Sequence, residues 1–234
     1  MKGARWLVVC LLLGASASAA EEEARPPTRF ERAVAVLGAP AVSADDSRRA
    51  KAELAAIIAG EEDSADASAA RYLLGRLKQL ENNEADPPEF QALRARHPGH
   101  PLAQLAALKV LLRRLYADSA ESPDDRLRAG EELAAAITLP ALRSDYHLAM
   151  GEAYIFHGDR REPALRHLRA AAEIGIPSAA TRANVLVQIG ELARLSGERA
   201  VAAASYRAFI AEFPRDLRQQ IVRDRLADLE GKAP

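Results

Sequence analysis

The chain is 234 residues long, 49% hydrophobic and 28% charged, with a formal net charge of −1. That composition excludes an intrinsically disordered chain. The near-neutral balance excludes a global electrostatic attraction to nucleic acid or to an anionic membrane.

Ala, Leu, Arg and Glu dominate and strand formers are scarce, so an all-α chain is expected. The chain opens on a targeting pattern. Lys2 and Arg5 precede or flank an apolar run from Trp6 to Leu13, and small residues follow as far as Ala20. The run is too short to cross a bilayer, and Ala17-Ser18-Ala19 offers an A-x-A cleavage site. A signal peptide over residues 1–19 is therefore expected, with a mature chain beginning at Ala20 that is periplasmic or secreted and has no transmembrane span. Val9 ahead of Cys10 argues against lipidation there, because such signals want a small residue before the cysteine. Trp6 and Cys10 are the only tryptophan and cysteine, so the mature chain has no disulfide, no thiol nucleophile and no thiolate metal ligand.

Residues 20–66 read as a linker and a degenerate helix pair, carried by "FERAVAVLGAP" and "RRAKAELAAIIAG". Beyond them the chain repeats. Prolines recur at Pro101, Pro140, Pro177 and Pro214, spaced 39, 37 and 37; Gly151 and Gly190 are 39 apart, and Gly75 lies 76 before Gly151. A period in this range marks a repeat architecture. Asp86-Pro87-Pro88-Glu89 and Ser122-Pro123-Asp124-Asp125 each place a capping residue, a proline and an acid as a helix start requires. In the third unit Tyr146, Met150, Ala153 and Tyr154 share one face, Gly158 permits a left-handed stop, and Leu165, Leu168, Ala172 and Ile176 mark a second helix. The fourth unit repeats this with Leu186, Ile189, Gly190 and Ala193, then Val201, Tyr206, Phe209, Ile210 and Phe213. Residues 215–234, with Leu217, Ile221, Leu226 and Leu229 among many charges, read as a C-terminal capping helix and tail.

These residues carry a family resemblance. "HLAMGEAY", with Met150, Gly151 and Tyr154, resembles the first helix of a tetratricopeptide repeat. "AAASYRAFIAEFP", with Ala202, Tyr206 and Pro214, resembles the second. "HLRAAAEIG" is also similar to the related Sel1-like repeats. The units exceed the usual length of about 34 residues, and His147 and Leu186 replace the usual first-helix Trp. The resemblance implies an all-α fold, a right-handed α-solenoid of antiparallel helix pairs over residues 67–214. It further implies an interaction scaffold of the bacterial cell envelope that binds a protein or peptide in the groove lined by the first helices. The alternatives are a self-associating structural module or an envelope enzyme whose site is not recognised by motif.

No motif of an enzyme is present: no G-x-S-x-G, no H-E-x-x-H, no phosphate-binding Gly loop and no Cys–His pairing. Neither catalytic residues nor a cofactor or metal is therefore expected. His97 and His100 in "HPGH" lack further ligands nearby and read as an inter-helix turn. His157 is expected at a helix C-terminus and His167 at a surface or boundary position. Arg113-Arg114 and Arg160-Arg161 lack interleaved aromatics, so they read as exposed faces rather than a nucleic-acid site. In the family's register, Asp145, Leu148, Glu152, Asn184, Val187, Glu191 and Arg194 line the groove. Family members that grip a C-terminal carboxylate use Lys and Asn there. Leu148, Glu152, Val187 and Glu191 stand in the matching places, which implies preference for an apolar segment flanked by Lys or Arg.

Overall fold

The computed structural model describes residues 26–60, 63–117 and 120–231. Among them the chain is all-helical, with eleven α-helices, one short 3-10 turn and no strand. The signal peptide expected over residues 1–19 lies outside the described residues. No described helix is long and apolar enough to cross a membrane. The chain divides into two compact units, residues 1–106 and 107–234.

The first unit holds α1 (Arg29–Gly38), α2 (Ala44–Gly60), α3 (Ala65–Glu81), α4 (Pro88–Arg96) and the first turns of α5 (Pro101–Tyr116). Each of α1 to α4 packs on its neighbour in sequence. Thr28 starts α1 with a capping box: Glu31 N donates to Thr28 Oγ1 at 3.2 Å, and Thr28 N donates to Glu31 Oε2 at 2.6 Å. The core is small-grained, with Ala33, Ala50, Ala67 and Ala70 around Leu54, Ile57 and Leu74. Gly75 in α3 lies against the ring of Phe90 in α4, and that ring stacks on Tyr72 with centroids 5.5 Å apart. The start of α4 differs from expectation. Its N-cap is Pro87, which offers no side-chain acceptor. Asp86 instead accepts two bonds from the Arg94 guanidinium, at 2.6 and 3.0 Å, because a bidentate ion pair outcompetes a single backbone N–H.

The second unit holds the rest of α5, then α6 (Pro123–Glu132) with a 3-10 turn over Leu133–Ala136, α7 (Pro140–Phe156), α8 (Arg161–Ile174), α9 (Ala179–Leu195), α10 (Arg199–Glu212) and α11 (Gln219–Glu230). From α6 to α11 each helix again packs on the next. Ser122 caps α6 as expected, accepting from Asp125 N at 3.1 Å. Pro101 and Pro140 sit in the first turns of α5 and α7, so these recurrent prolines open helices rather than close them.

The faces picked out by helical spacing are the buried ones: Tyr146, Met150 and Tyr154 on α7, Leu165 and Leu168 on α8, Leu186 and Ile189 on α9, Tyr206 and Phe209 on α10. Each fully buried apolar side chain of this size contributes about 1.5–3 kcal/mol. Close approach is built in at glycines. A Cβ on Gly151 would come within 2.7 Å of Leu168 Cδ2, one on Gly190 would overlap the Tyr206 ring, and one on Gly130 would overlap Met150 Sδ. Gly197 takes a left-handed φ of +79° and ends α9.

The C-terminal helix packs through a different stripe from the one expected. Leu217 is fully exposed and Ile221 is 49% exposed, while Val222 and Gln219 are buried. Leu217 precedes α11, and the inward stripe runs Gln219, Val222, Leu226 and Leu229. The Gln219 amide donates to the carbonyls of Ile210 (3.1 Å) and Phe213 (2.8 Å), closing the open end of α10.

Candidate functional site

The seven groove candidates fall on two helices of the second unit. Asp145, Leu148 and Glu152 lie on α7; Asn184, Val187, Glu191 and Arg194 lie on α9. Leu148 and Val187 are half-buried and pack on the core, whereas Asp145, Glu152, Asn184 and Arg194 are exposed.

The α9 half is occupied by the chain itself. Asn184 Oδ1 accepts from the Arg218 guanidinium at 2.8 Å. Glu191 accepts from the Tyr206 hydroxyl, from Arg225 at 2.7 Å and from Arg194 at 3.0 Å. Burial pushes the Glu191 carboxyl up, but the hydrogen bonds from Tyr206 and Arg194 and the charge of Arg225 outweigh it and hold the pKa below the usual range. Glu191 is thus a satisfied internal carboxylate, with Arg194 of α9, Tyr206 of α10 and Arg225 of α11 as its partners.

The α7 half is different. Desolvation raises the Asp145 pKa, opposed by the charge of Lys109 on α5. Desolvation also raises that of Glu152, with no compensating cation. Beside Glu152 lies an aromatic group that motif reading missed. Tyr116, the last residue of α5, donates to the Ala149 carbonyl at 3.4 Å and meets Phe156, the last residue of α7, edge to face at 5.5 Å. Phe156 is 69% exposed and Tyr116 42%. The signal was in the sequence. Tyr116, Phe156 and Leu195 are spaced 40 and 39 apart, each closes its helix, and each is exposed.

A second polar cluster joins α6, α7 and α8. Glu131 Oε1 accepts from Tyr154 at 2.7 Å, from His167 Nε2 at 2.9 Å and from Arg166 at 3.2 Å. His167 Nδ1 and His147 Nδ1 are 2.9 Å apart. His167, expected at a surface or boundary position, is only 3% exposed, because Glu131 and His147 satisfy both ring nitrogens and make its burial tolerable. Burial lowers the pKa of both rings; Glu131 opposes this at His167, while His167 and Arg143 add to it at His147.

The remaining histidines do structural work. His157 follows α7 directly, with Nε2 2.6 Å from the Leu115 carbonyl. His100 Nδ1 accepts from Leu102 N at 3.2 Å in the first turn of α5, and His97 Nε2 lies 3.5 Å from Asp63. Among the described residues no group of three or more His, Cys, Asp or Glu is placed to hold a metal ion. Arg114, Arg160 and Arg161 pair with Glu121, Asp124 and Asp159. Compared with protein-family models, curated proteins and solved structures, the chain matches none of them.

Proposed function

We propose that this chain is an exported, tetratricopeptide-like right-handed solenoid that acts as a non-enzymatic protein-interaction scaffold in the bacterial cell envelope. One observation carries the reading. A glycine of a first helix meets a bulky residue of the second helix three times at corresponding places: Gly75 on Phe90, Gly151 on Leu168 and Gly190 on Tyr206. Sequential packing of neighbouring helices supports it further. Repeats of this kind stack into a surface of first helices suited to an extended or helical partner segment. Export rests on the charged, apolar and small-residue pattern of residues 1–19.

The test is a photo-crosslinking residue in place of Leu148 or Val187, with Glu173 on the exposed face of α8 as control, followed by mass spectrometry of the envelope fraction. Adducts to one other protein from Leu148 and Val187 alone are the expected result. Adducts from Glu173 alone, or none, would remove the groove from consideration.

A second reading is favoured by one feature. Leu217 and Ile221 leave apolar surface exposed at the start of α11. Self-association through that end would double the mass in solution, and Leu217→Lys would restore the monomer.

A further inference from the structure

The geometry points to the surface formed by Tyr116, Glu152 and Phe156 as a dock for an arginine-bearing apolar segment of another protein. The inference rests on the binding reading above and says which chemistry that binding uses.

Two carboxylates occupy equivalent places in successive repeats. Glu152 and Glu191 stand 39 residues apart, the spacing of Gly151 and Gly190, and each lies four residues before the exposed apolar residue that ends its helix, Phe156 or Leu195. Glu191 shows what such a carboxylate takes: arginines, one of them Arg225 from the next first-type helix, α11. By the 37-residue spacing of Pro177 and Pro214 the α9 counterpart of Arg225 is Gln188, and by the 39-residue spacing of Glu152 and Glu191 the α7 counterpart of Arg194 is Ile155. The cations that satisfy Glu191 therefore have no counterpart at Glu152. Among the described residues no basic side chain pairs with it.

The walls of the surface suit the same ligand. Phe156 and Tyr116 meet at an interplanar angle of 70°, leaving most of the Phe156 ring open to solvent. An arginine is planar and weakly hydrated, so it can lie on an aromatic face while it bonds a carboxylate. The chain already uses that contact once, with Arg218 placed 5.2 Å from the Phe209 ring centroid. Half-buried Leu148, one turn before Glu152, extends the apolar contact for the residues that flank the arginine. An acidic segment would meet an uncompensated like charge and be rejected.

The test uses two short fluorescein-labelled helical peptides with the same leucines, one carrying Arg and the other Glu at the polar positions. Binding to the full chain is read by fluorescence anisotropy at low and moderate salt. The Arg peptide should bind and the Glu peptide should not. Glu152→Lys and Phe156→Ala should each weaken binding by about tenfold or more. Glu173→Lys on α8, the same charge change elsewhere, should leave it within about twofold. Both target residues are exposed, so the variants should keep the parent melting temperature, and the milder Glu152→Gln provides a second reading of the same site. Equal weakening by Glu152→Lys and Glu173→Lys would mean diffuse charge attraction and overturn the proposal. So would binding that ignores Glu152 and Phe156, and so would failure of both peptides to bind. In each case the crosslinking from Leu148 and Val187 would still decide, separately, whether the scaffold reading survives.

Discussion

Gly190 lies so close to the ring of Tyr206 that a methyl group on its α-carbon would overlap three ring atoms. The ring is fully buried and has nowhere to move. In an exposed helix, Gly→Ala gains about 1 kcal/mol. Here overpacking costs about 1–3 kcal/mol, so Gly190→Ala should be destabilising on balance. Gly151→Ala, against Leu168, should follow. Gly38→Ala has open space around it and should be neutral or stabilising. Urea melts of the three variants decide it, and an ordering with Gly38→Ala worst would refute the close-packing account.

Tyr206 and Tyr154 bury a ring and donate a hydroxyl to a carboxylate, Glu191 and Glu131 respectively. Replacing either with Ala should cost on the order of 3–5 kcal/mol. Replacing either with Phe keeps the ring and removes one donor, a loss of about 1–2 kcal/mol. Arg160→Ala breaks only a solvent-exposed pair with Asp124 and should cost less than about 0.5 kcal/mol. A thermal melt that ranked the Phe variants with the Ala variants would show the hydroxyl, not the ring, to be the main term.

From α7 to α10 the helices and their buried faces were legible because apolar spacing reports burial directly, whereas the inward stripe of α11 was misplaced at Leu217 and Ile221. Met150, Tyr154, Ile189 and Tyr206 all point inward as their spacing requires. Two kinds of feature were not legible. Cap choice at Asp86 turned on Arg94, eight residues away, which local capping patterns ignore. The burial of His167 turned on Glu131 and His147, which are distant in sequence and meet only in the fold. The α7 and α9 candidates looked alike as sequence, with Glu152 and Glu191 in register. They separate because α9 places Arg194 and α11 delivers Arg225 beside one, and nothing supplies the other.

The Glu131–His167–His147 chain makes stability pH-dependent. With Glu131 ionised, His167 Nε2–H donates to it, so the bare His167 Nδ1 accepts from His147 Nδ1–H and both rings are neutral. Both folded-state pKa values lie below 6.5, so the unfolded chain binds more protons as pH falls through 6.5. Stability from the pair is present above 6.5 and is lost on the way down to the folded values. Glu131, held below 4.5, adds a second loss further down. Urea melts at about pH 7 and pH 5.5 should show lower stability at the acid value, and a smaller drop in His147→Gln. A flat profile between them would sink the claim.

Export would remove Trp6 together with the rest of residues 1–19. Material recovered from outside the cytoplasm should therefore begin at Ala20 and show no tryptophan emission. Intact mass and a fluorescence spectrum check both, and Trp emission from exported chains would overturn the cleavage site.

Glu191 should be needed for stability and Glu152 should not. Glu191→Ala removes the acceptor for the buried Tyr206 hydroxyl and for Arg194 and Arg225, and should cost about 1–3 kcal/mol. Glu152 is partly desolvated without a cation, so its folded-state pKa lies above the ordinary carboxylate value. A raised carboxylate pKa means that the folded chain holds its proton more tightly than the unfolded chain, so ionised Glu152 works against folding at neutral pH. Glu152→Gln should therefore leave the melting temperature unchanged or raise it, and any gain should vanish as pH drops below 4.5. A gain in stability from Glu152→Gln would fit a position where stability is traded for binding. If Glu152→Gln instead lowers the melting temperature as Glu191→Ala does, Glu152 has an internal partner, and the surface beside Phe156 has no charge to offer an incoming arginine.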